Sequence, residues 1–220
     1  MIQLYHVYKN YNGSSPALTD ISFVVEKGEF VFLTGPSGAG KTTLLKLIFC
    51  SEKPTGGQII IDGKNTSRFG TREIAELRRK IGFIFQDFKL LSNKTVYKNV
   101  ALPLDIIGHR PREIKKKVSY VLSYLGLQHR ANYKPLSISG GEQQRASIAR
   151  ALVKEPTILL ADEPTGNLDP ALTNSIMELF LDINAKGTTV VIATHDSSLI
   201  KKLNKRTITL EGGKVIQEKE

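Results

Sequence analysis

Short apolar runs that end in Gly, Pro or an acid alternate along this chain with stretches in which apolar residues recur at helical spacing. Glu29-Phe30-Val31-Phe32-Leu33-Thr34 reads as a strand buried on both faces, and Thr43-Leu44-Leu45-Lys46-Leu47-Ile48 as the helix that follows. Ile81-Gly82-Phe83-Ile84-Phe85, Thr157-Ile158-Leu159-Leu160-Ala161 and Val190-Val191-Ile192-Ala193-Thr194 repeat the strand pattern, so strands alternating with helices predict a parallel sheet. Ahead of them, early strands with turn signals at Asn12-Gly13-Ser14-Ser15-Pro16 and Glu26-Lys27-Gly28 predict a small antiparallel β part. From Arg112 the residues Ile114, Val118, Val121, Leu122 and Leu125 recur at helical spacing, which puts Lys115, Lys116 and Lys117 on the solvated side. The expected fold is α/β: a parallel sheet core, the small antiparallel β part, and a helical lobe from about 71 to 137. No internal repeat or low-complexity linker divides the chain, so 1–220 is expected to be one domain.

Between the strand at 29–34 and its helix lies Gly35-Pro36-Ser37-Gly38-Ala39-Gly40-Lys41-Thr42, which fits the phosphate-binding pattern G-x-x-x-x-G-K-[ST]. A strand before it and a helix after it are the context a P-loop requires. Glycines let the backbone curl until its N–H groups face the phosphates, and the helix N-terminus, opening at Lys41, Thr42 and Thr43, adds its positive end. Lys41 adds a full charge near the β- and γ-phosphates, and Thr42 is expected to carry its hydroxyl to Mg²⁺. The loop says nucleoside triphosphate, not which NTPase.

Asp162 and Glu163 close the apolar run from Thr157. Two acids at the C-terminal end of a buried parallel strand lie where ligands bind in α/β sheets. Asp162 suits Mg²⁺, and Glu163 is placed to polarise the attacking water, because phosphoryl transfer needs an oriented nucleophile and charge neutralisation more than covalent chemistry.

A third constellation, Ile138-Ser139-Gly140-Gly141-Glu142-Gln143-Gln144-Arg145, resembles the LSGGQ signature of the ATP-binding cassette family. With Gln86 after the strand at 81–85, Asn167-Leu168-Asp169 after Glu163, and His195 after the strand at 190–194, the cassette motifs appear in order over essentially the whole chain. The resemblance implies a RecA-like core carrying the helical lobe as an insertion, and ATP hydrolysis. Ser139 and the N–H groups of Gly140 and Gly141 form a second helix start suited to an anion. One phosphate cannot be enclosed by two such ends of one small domain, so the second end must come from another copy. In the family two domains dock head to tail on ATP. By that resemblance Gln86 senses the γ-phosphate and metal, His195 holds the γ-phosphate and water in line, Asp169 links the two sites, and Tyr11 stacks on adenine. Ile138 and Glu142 depart from the usual Leu and Gln; both leave the Ser-Gly-Gly anion site intact, while Glu142 adds charge beside it and could cap its own helix.

Gln86-Asp87-Phe88-Lys89-Leu90-Leu91 is the most discriminating piece. It most resembles the cell-division branch of the family. That resemblance implies an integral membrane partner through which dimer closure reaches cell-wall hydrolases outside, with no transported substrate, and a peripheral place on the cytoplasmic face of the membrane at the division site. Lipoprotein-releasing and macrolide-exporting cassettes share Asp-Glu-Pro-Thr-Gly-Asn-Leu-Asp and Ser-Gly-Gly-Glu-Gln-Gln-Arg, and form the alternative.

Composition narrows this picture in three ways. No apolar run is long enough to span a bilayer, so membrane parts are expected from another chain; the N-terminal residues lack a charged-then-apolar signal segment. Cys50 is the one cysteine, which excludes an internal disulfide and reads as a small apolar packing residue. The net charge of +10 comes almost wholly from Lys64 to Lys117, which holds 14 Lys and Arg against 5 Asp and Glu. Such a surplus is either a solvated face or an attraction to the anionic inner leaflet or to acids on a membrane partner. Nucleic acid is not expected, since no aromatic-basic interleaving accompanies the charge.

Overall fold

A computed structural model describes residues 1–11, 16–166 and 168–219. The turn expected at Asn12–Ser15, and Asn167, lie outside the described residues. The chain opens with strands β1 (Ile2–Lys9) and β2 (Leu18–Val25), followed by β3 (Phe30–Thr34) and helix α1 (Lys41–Ile48). Next come β4 (Gly56–Ile61), β5 (Lys64–Asn65), α2 (Thr71–Lys80) and β6 (Ile81–Ile84). Three helices follow, α3 (Val96–Ile106), α4 (Pro111–Tyr124) and α5 (Gly140–Leu152), then β7 (Ile158–Asp162) and α6 (Pro170–Ala185). The chain ends in β8 (Thr189–Ala193), α7 (Ser197–Leu203), β9 (Arg206–Glu211) and β10 (Lys214–Lys219).

Two sheets form. The smaller is antiparallel, in the order β2-β1-β4-β5. The larger runs β10-β9-β3-β8-β7-β6, parallel throughout except for the β10–β9 hairpin. Parallel alignment brings the C-terminal ends of β3, β6, β7 and β8 to one edge, the edge where the P-loop, Gln86, the two acids and His195 all begin.

Alternation along the central strands explains the layering, because successive side chains point to opposite faces. Phe30, Phe32, Leu159, Ala161, Val190 and Ile192 face a core built with α3, α4, α5 and α6. Val31, Leu33, Ile158, Leu160, Val191 and Ala193 face the other core, shared with α1 and the antiparallel sheet. The region read as a helical lobe from about 71 is divided by this arrangement. Leu77 of α2 joins the α1 side, whereas α3 to α5 bury their apolar stripes on the opposite face.

In α4 the helical spacing places Ile114, Val118, Val121 and Leu122 in the core, and Lys115 and Lys116 are exposed. Lys117 departs from the expected solvated face. It is half-buried and its Nζ lies 2.7 Å from Glu155, a partner 38 residues away that helical spacing could not announce.

Candidate nucleotide site and its relatives

The P-loop bends where its glycines permit. Gly35 has φ 142, and a Cβ there would lie 2.0 Å from the Leu210 carbonyl oxygen; Gly40 has φ 103 and faces Leu18 and the Ala17 carbonyl at under 3 Å. A side chain at either position would force the loop away from β9 or β2. The turn delivers the first residues of α1 into a cavity of about 480 Å³ lined by Pro36–Thr43 together with Gln86, Glu163 and His195. Four segments far apart in sequence thus meet at one cavity. In it Lys41 Nζ donates to the carbonyls of Gly35 at 2.7 Å and Pro36 at 3.1 Å, and stands 3.8 Å from Glu163 Oε1.

Glu163 sits at the end of β7 with φ 47, a left-handed conformation uncommon outside glycine. Its N–H donates to the Ala193 carbonyl, which pins the residue to β8, and its Oε1 lies 2.9 Å from Nδ1 of His195. The carboxylate is largely buried and the imidazole largely exposed. On the far side of this pair a second cavity of about 600 Å³ is lined by Thr165, Leu168, Asn174 and Lys202 among others. Glu163 and His195 therefore line two open spaces, one of them the P-loop cavity.

Asp162, one residue earlier, is buried, and its Oδ1 has no hydrogen-bond partner among the described residues. Burial raises its carboxyl above the ordinary range, opposed in part by a hydrogen bond with Thr42. A buried carboxylate oxygen left unpaired beside a threonine hydroxyl at a phosphate-binding loop fits a hard divalent cation. No group of three or more His, Cys, Asp or Glu among the described residues forms a self-sufficient metal site. Mg²⁺ is commonly held by one or two side chains with substrate phosphates and water.

The signature residues lie outside the P-loop cavity. Ser139 caps α5: its Oγ accepts from the Glu142 N–H at 3.2 Å, while Glu142 Oε2 accepts from the Ser139 N–H at 2.8 Å. Glu142 Oε1 also takes a 2.7 Å hydrogen bond from Arg130 Nε, and these donors hold the Glu142 carboxyl down at about 2. The Ser139 hydroxyl keeps its own proton to donate. Gly140 is open, but a Cβ on Gly141 would lie 2.2 Å from Leu172, so the signature packs against the start of α6, capped by Asp169. Ile138 is core, which explains why an isoleucine serves in place of leucine. Tyr11 is partly exposed, with Lys9 Nζ 4.9 Å from its ring centre, and does not line the P-loop cavity.

Three residues of this region went unsingled in the sequence. Asn99 of α3 is fully buried and binds the loop after Gln86: its Oδ1 accepts from the Leu91 N–H at 2.7 Å and its amide donates to the carbonyls of Leu91, Lys94 and Thr95. Arg150 of α5 donates to the carbonyls of Lys89 and Phe88, and Gln144 to that of Pro164. All three act on backbone groups, which leave no pattern in the side chains.

The ABC transporter family model matches residues 18–166. Cell division ATP-binding protein FtsE of Bacillus subtilis is 48% identical over 218 residues, covering 99% of this chain and 96% of that protein. FtsE of Escherichia coli is 50% identical over 213 residues, covering 97% and 96%. The chain belongs to the FtsE family of ATP-binding cassette proteins. Among solved structures, the dimeric ATP-binding cassette MJ0796 in a post-hydrolysis state bound to ADP and Pi superposes with a TM-score of 0.93 at 39% identity, covering 100% of this chain and 98% of that one. A further dimeric MJ0796 structure matches with a TM-score of 0.92 at 41% identity, covering 100% and 98%. As a member of the FtsE family the chain binds ATP and is an ATPase. No helix among the described residues is long and apolar enough to cross a membrane.

Proposed function

We propose that the chain is the ATP-hydrolysing subunit of an FtsEX-like complex, in which closure of a homodimer on ATP is passed through an FtsX-like integral membrane protein to cell-wall hydrolases. The single observation that carries the chemistry is the convergence of Lys41 and His195 on one carboxylate oxygen of Glu163 at the P-loop cavity. Near full-length similarity to cell-division proteins carries the setting, and favours it over lipoprotein release or macrolide export. On this reading the chain sits peripherally on the cytoplasmic face of the membrane at the division site.

ATP enters with its phosphates against the amides of Gly38 to Thr43, and Lys41 exchanges two neutral carbonyl acceptors for anionic oxygens. Tyr11 stacks on the adenine. Thr42, Gln86 and Asp162 would hold Mg²⁺, which supplies charge neutralisation across the phosphate oxygens when bound. Glu163 takes the proton from the attacking water, and His195 holds that water and the γ-phosphate in line. From the second copy, Ser139, Gly140 and Gly141 close over the γ-phosphate, with Glu142 holding that helix start in shape, and Asp169 joins the two sites.

Purification of the chain from detergent-solubilised membranes of its own cells tests the setting. The expected co-purifying protein has few membrane spans and a large external loop; capture of a longer lipoprotein-releasing permease instead would reject it.

A further inference from the structure

Helix α5 is fastened to two loops that both reach the P-loop cavity. Gln144, fully inside the protein, donates from Nε2 to the carbonyl of Pro164 at 2.6 Å, and Pro164 directly follows Glu163. Six residues later Arg150 spreads its guanidinium across two successive carbonyls, Nη1 to Lys89 at 2.5 Å and Nη2 to Phe88 at 2.6 Å, just beyond Gln86. Phe88 and Lys89 have φ 58 and 47. Consecutive left-handed residues without glycine are costly, and persist where surrounding contacts over-determine them. A planar fork of donors matched to both carbonyls is such a contact, and it fixes their orientation more firmly than the rotatable donors of an ammonium would.

The opposite end of the same helix is the Ser139-Gly140-Gly141 anion site. In the shared-site arrangement proposed above, on which this inference rests, that end meets the nucleotide of the other copy. One helix then touches the partner's γ-phosphate at its start, its own Glu163 loop through Gln144, and its own sensor loop through Arg150.

We infer that α5 is a rigid strut coupling the two ATP sites of the dimer, with Gln144 and Arg150 as its positioning residues. Capture of one γ-phosphate by the signature sets the position of Glu163 and Gln86 at the other site. A helix of this length spans about 20 Å and transmits displacement with little bending, since between its terminal turns its backbone hydrogen bonds are internal. The coupling is lost when the donors are lost, even if the helix stays folded.

The test uses the full chain with Arg150→Met, Arg150→Lys and Gln144→Met, which keep an unbranched stem while removing some or all donors. MgATP turnover is measured against concentration, alongside MgATP binding and dimer formation in a Glu163→Gln background. The unaltered chain should show a Hill coefficient above 1. Arg150→Met should lower kcat about tenfold, the loss of one positioning contact felt at the reacting atoms, and bring the Hill coefficient to about 1. KM and ATP-driven dimerisation should stay within about twofold, and Arg150→Lys should recover part of both losses. Should Arg150→Met not fold, Gln144→Met carries the same expectation from the other end of the strut. A Hill coefficient of 1 in the unaltered chain overturns the inference, as does unchanged kcat in the folded variants, or a loss that follows weakened ATP binding with no recovery in Arg150→Lys. A Ser139→Arg control separates the premises: if it dimerises and turns over like the unaltered chain, the shared-site arrangement itself fails.

Discussion

Nδ1 of His195 lies 2.9 Å from Oε1 of Glu163, across the ends of two neighbouring parallel strands. The same oxygen is 3.8 Å from Lys41 Nζ, so binding and chemistry use different atoms of one cluster. Glu163→Gln removes the acceptor for the water proton but leaves the amides and Lys41 in place. Turnover should fall by roughly 100-fold or more, MgATP binding should persist, and dimers should accumulate in light scattering. Lys41→Ala should instead weaken MgATP binding by about tenfold or more, the loss of a charge-assisted contact. A Glu163→Gln chain that hydrolyses ATP at the normal rate would show that another group takes the proton.

The Arg130–Glu142 pair makes a separate prediction about stability. Arg130 and the Ser139 N–H hold the Glu142 carboxyl at about 2 against an ordinary 4.5. A carboxyl depressed in the folded state contributes stability that is present above about 4.5 and is lost as the pH falls toward 2. Glu142→Gln keeps a capping oxygen for the Ser139 N–H and loses the ion pair. Thermal melts should show a cost of about 1 kcal/mol or less at neutral pH, shrinking below pH 4.5, with ATPase activity within about twofold. A large loss of activity at unchanged stability would mean that the carboxylate acts on the nucleotide directly.

On the proposed function, the apolar residues that follow the sensor Gln86, namely Phe88, Leu90, Leu91, Val96, Tyr97 and Val100, are the candidates for receiving the membrane partner, and they divide between core and surface. Val96 and Val100 are fully buried and belong to the core, so of this cluster they cannot be a docking surface. Leu91 is 40% exposed, although its backbone is held by Asn99. Leu91→Asp should therefore leave the melting temperature and ATP affinity unchanged and abolish co-purification with the membrane partner. A drop of several degrees would mark Leu91 as a packing residue, and retained co-purification would place the coupling surface elsewhere.

Much of this was legible in the chain because it depends on short-range pattern. Uninterrupted runs such as 30–33 and 158–161, short and bounded by turn residues, read as strands buried on both faces, and a loop with Gly35 and Gly40 at those spacings reads as a phosphate turn with such flanks. The cluster at the sheet edge follows once the strands are parallel. What was not legible are contacts whose second partner is backbone. Nothing in the letters of Arg150 indicates that its guanidinium caps carbonyls 61 and 62 residues away, or in those of Asn99 that it binds both backbone groups of Leu91. Lys117 is half-buried in an ion pair with Glu155, a side chain in the loop after α5 that helical spacing does not announce.

The sharing of each site between two copies is the claim on which the rest depends. Mixing a Lys41→Ala chain with a Ser139→Arg chain tests it: each homodimer lacks one half of every site, whereas the heterodimer retains one intact P-loop facing one intact signature. ATP hydrolysis by the mixture should exceed the sum of the two separate chains severalfold and rise with the heterodimer fraction. Activity no greater than that sum, with heterodimers demonstrated in the same sample, would contradict the account.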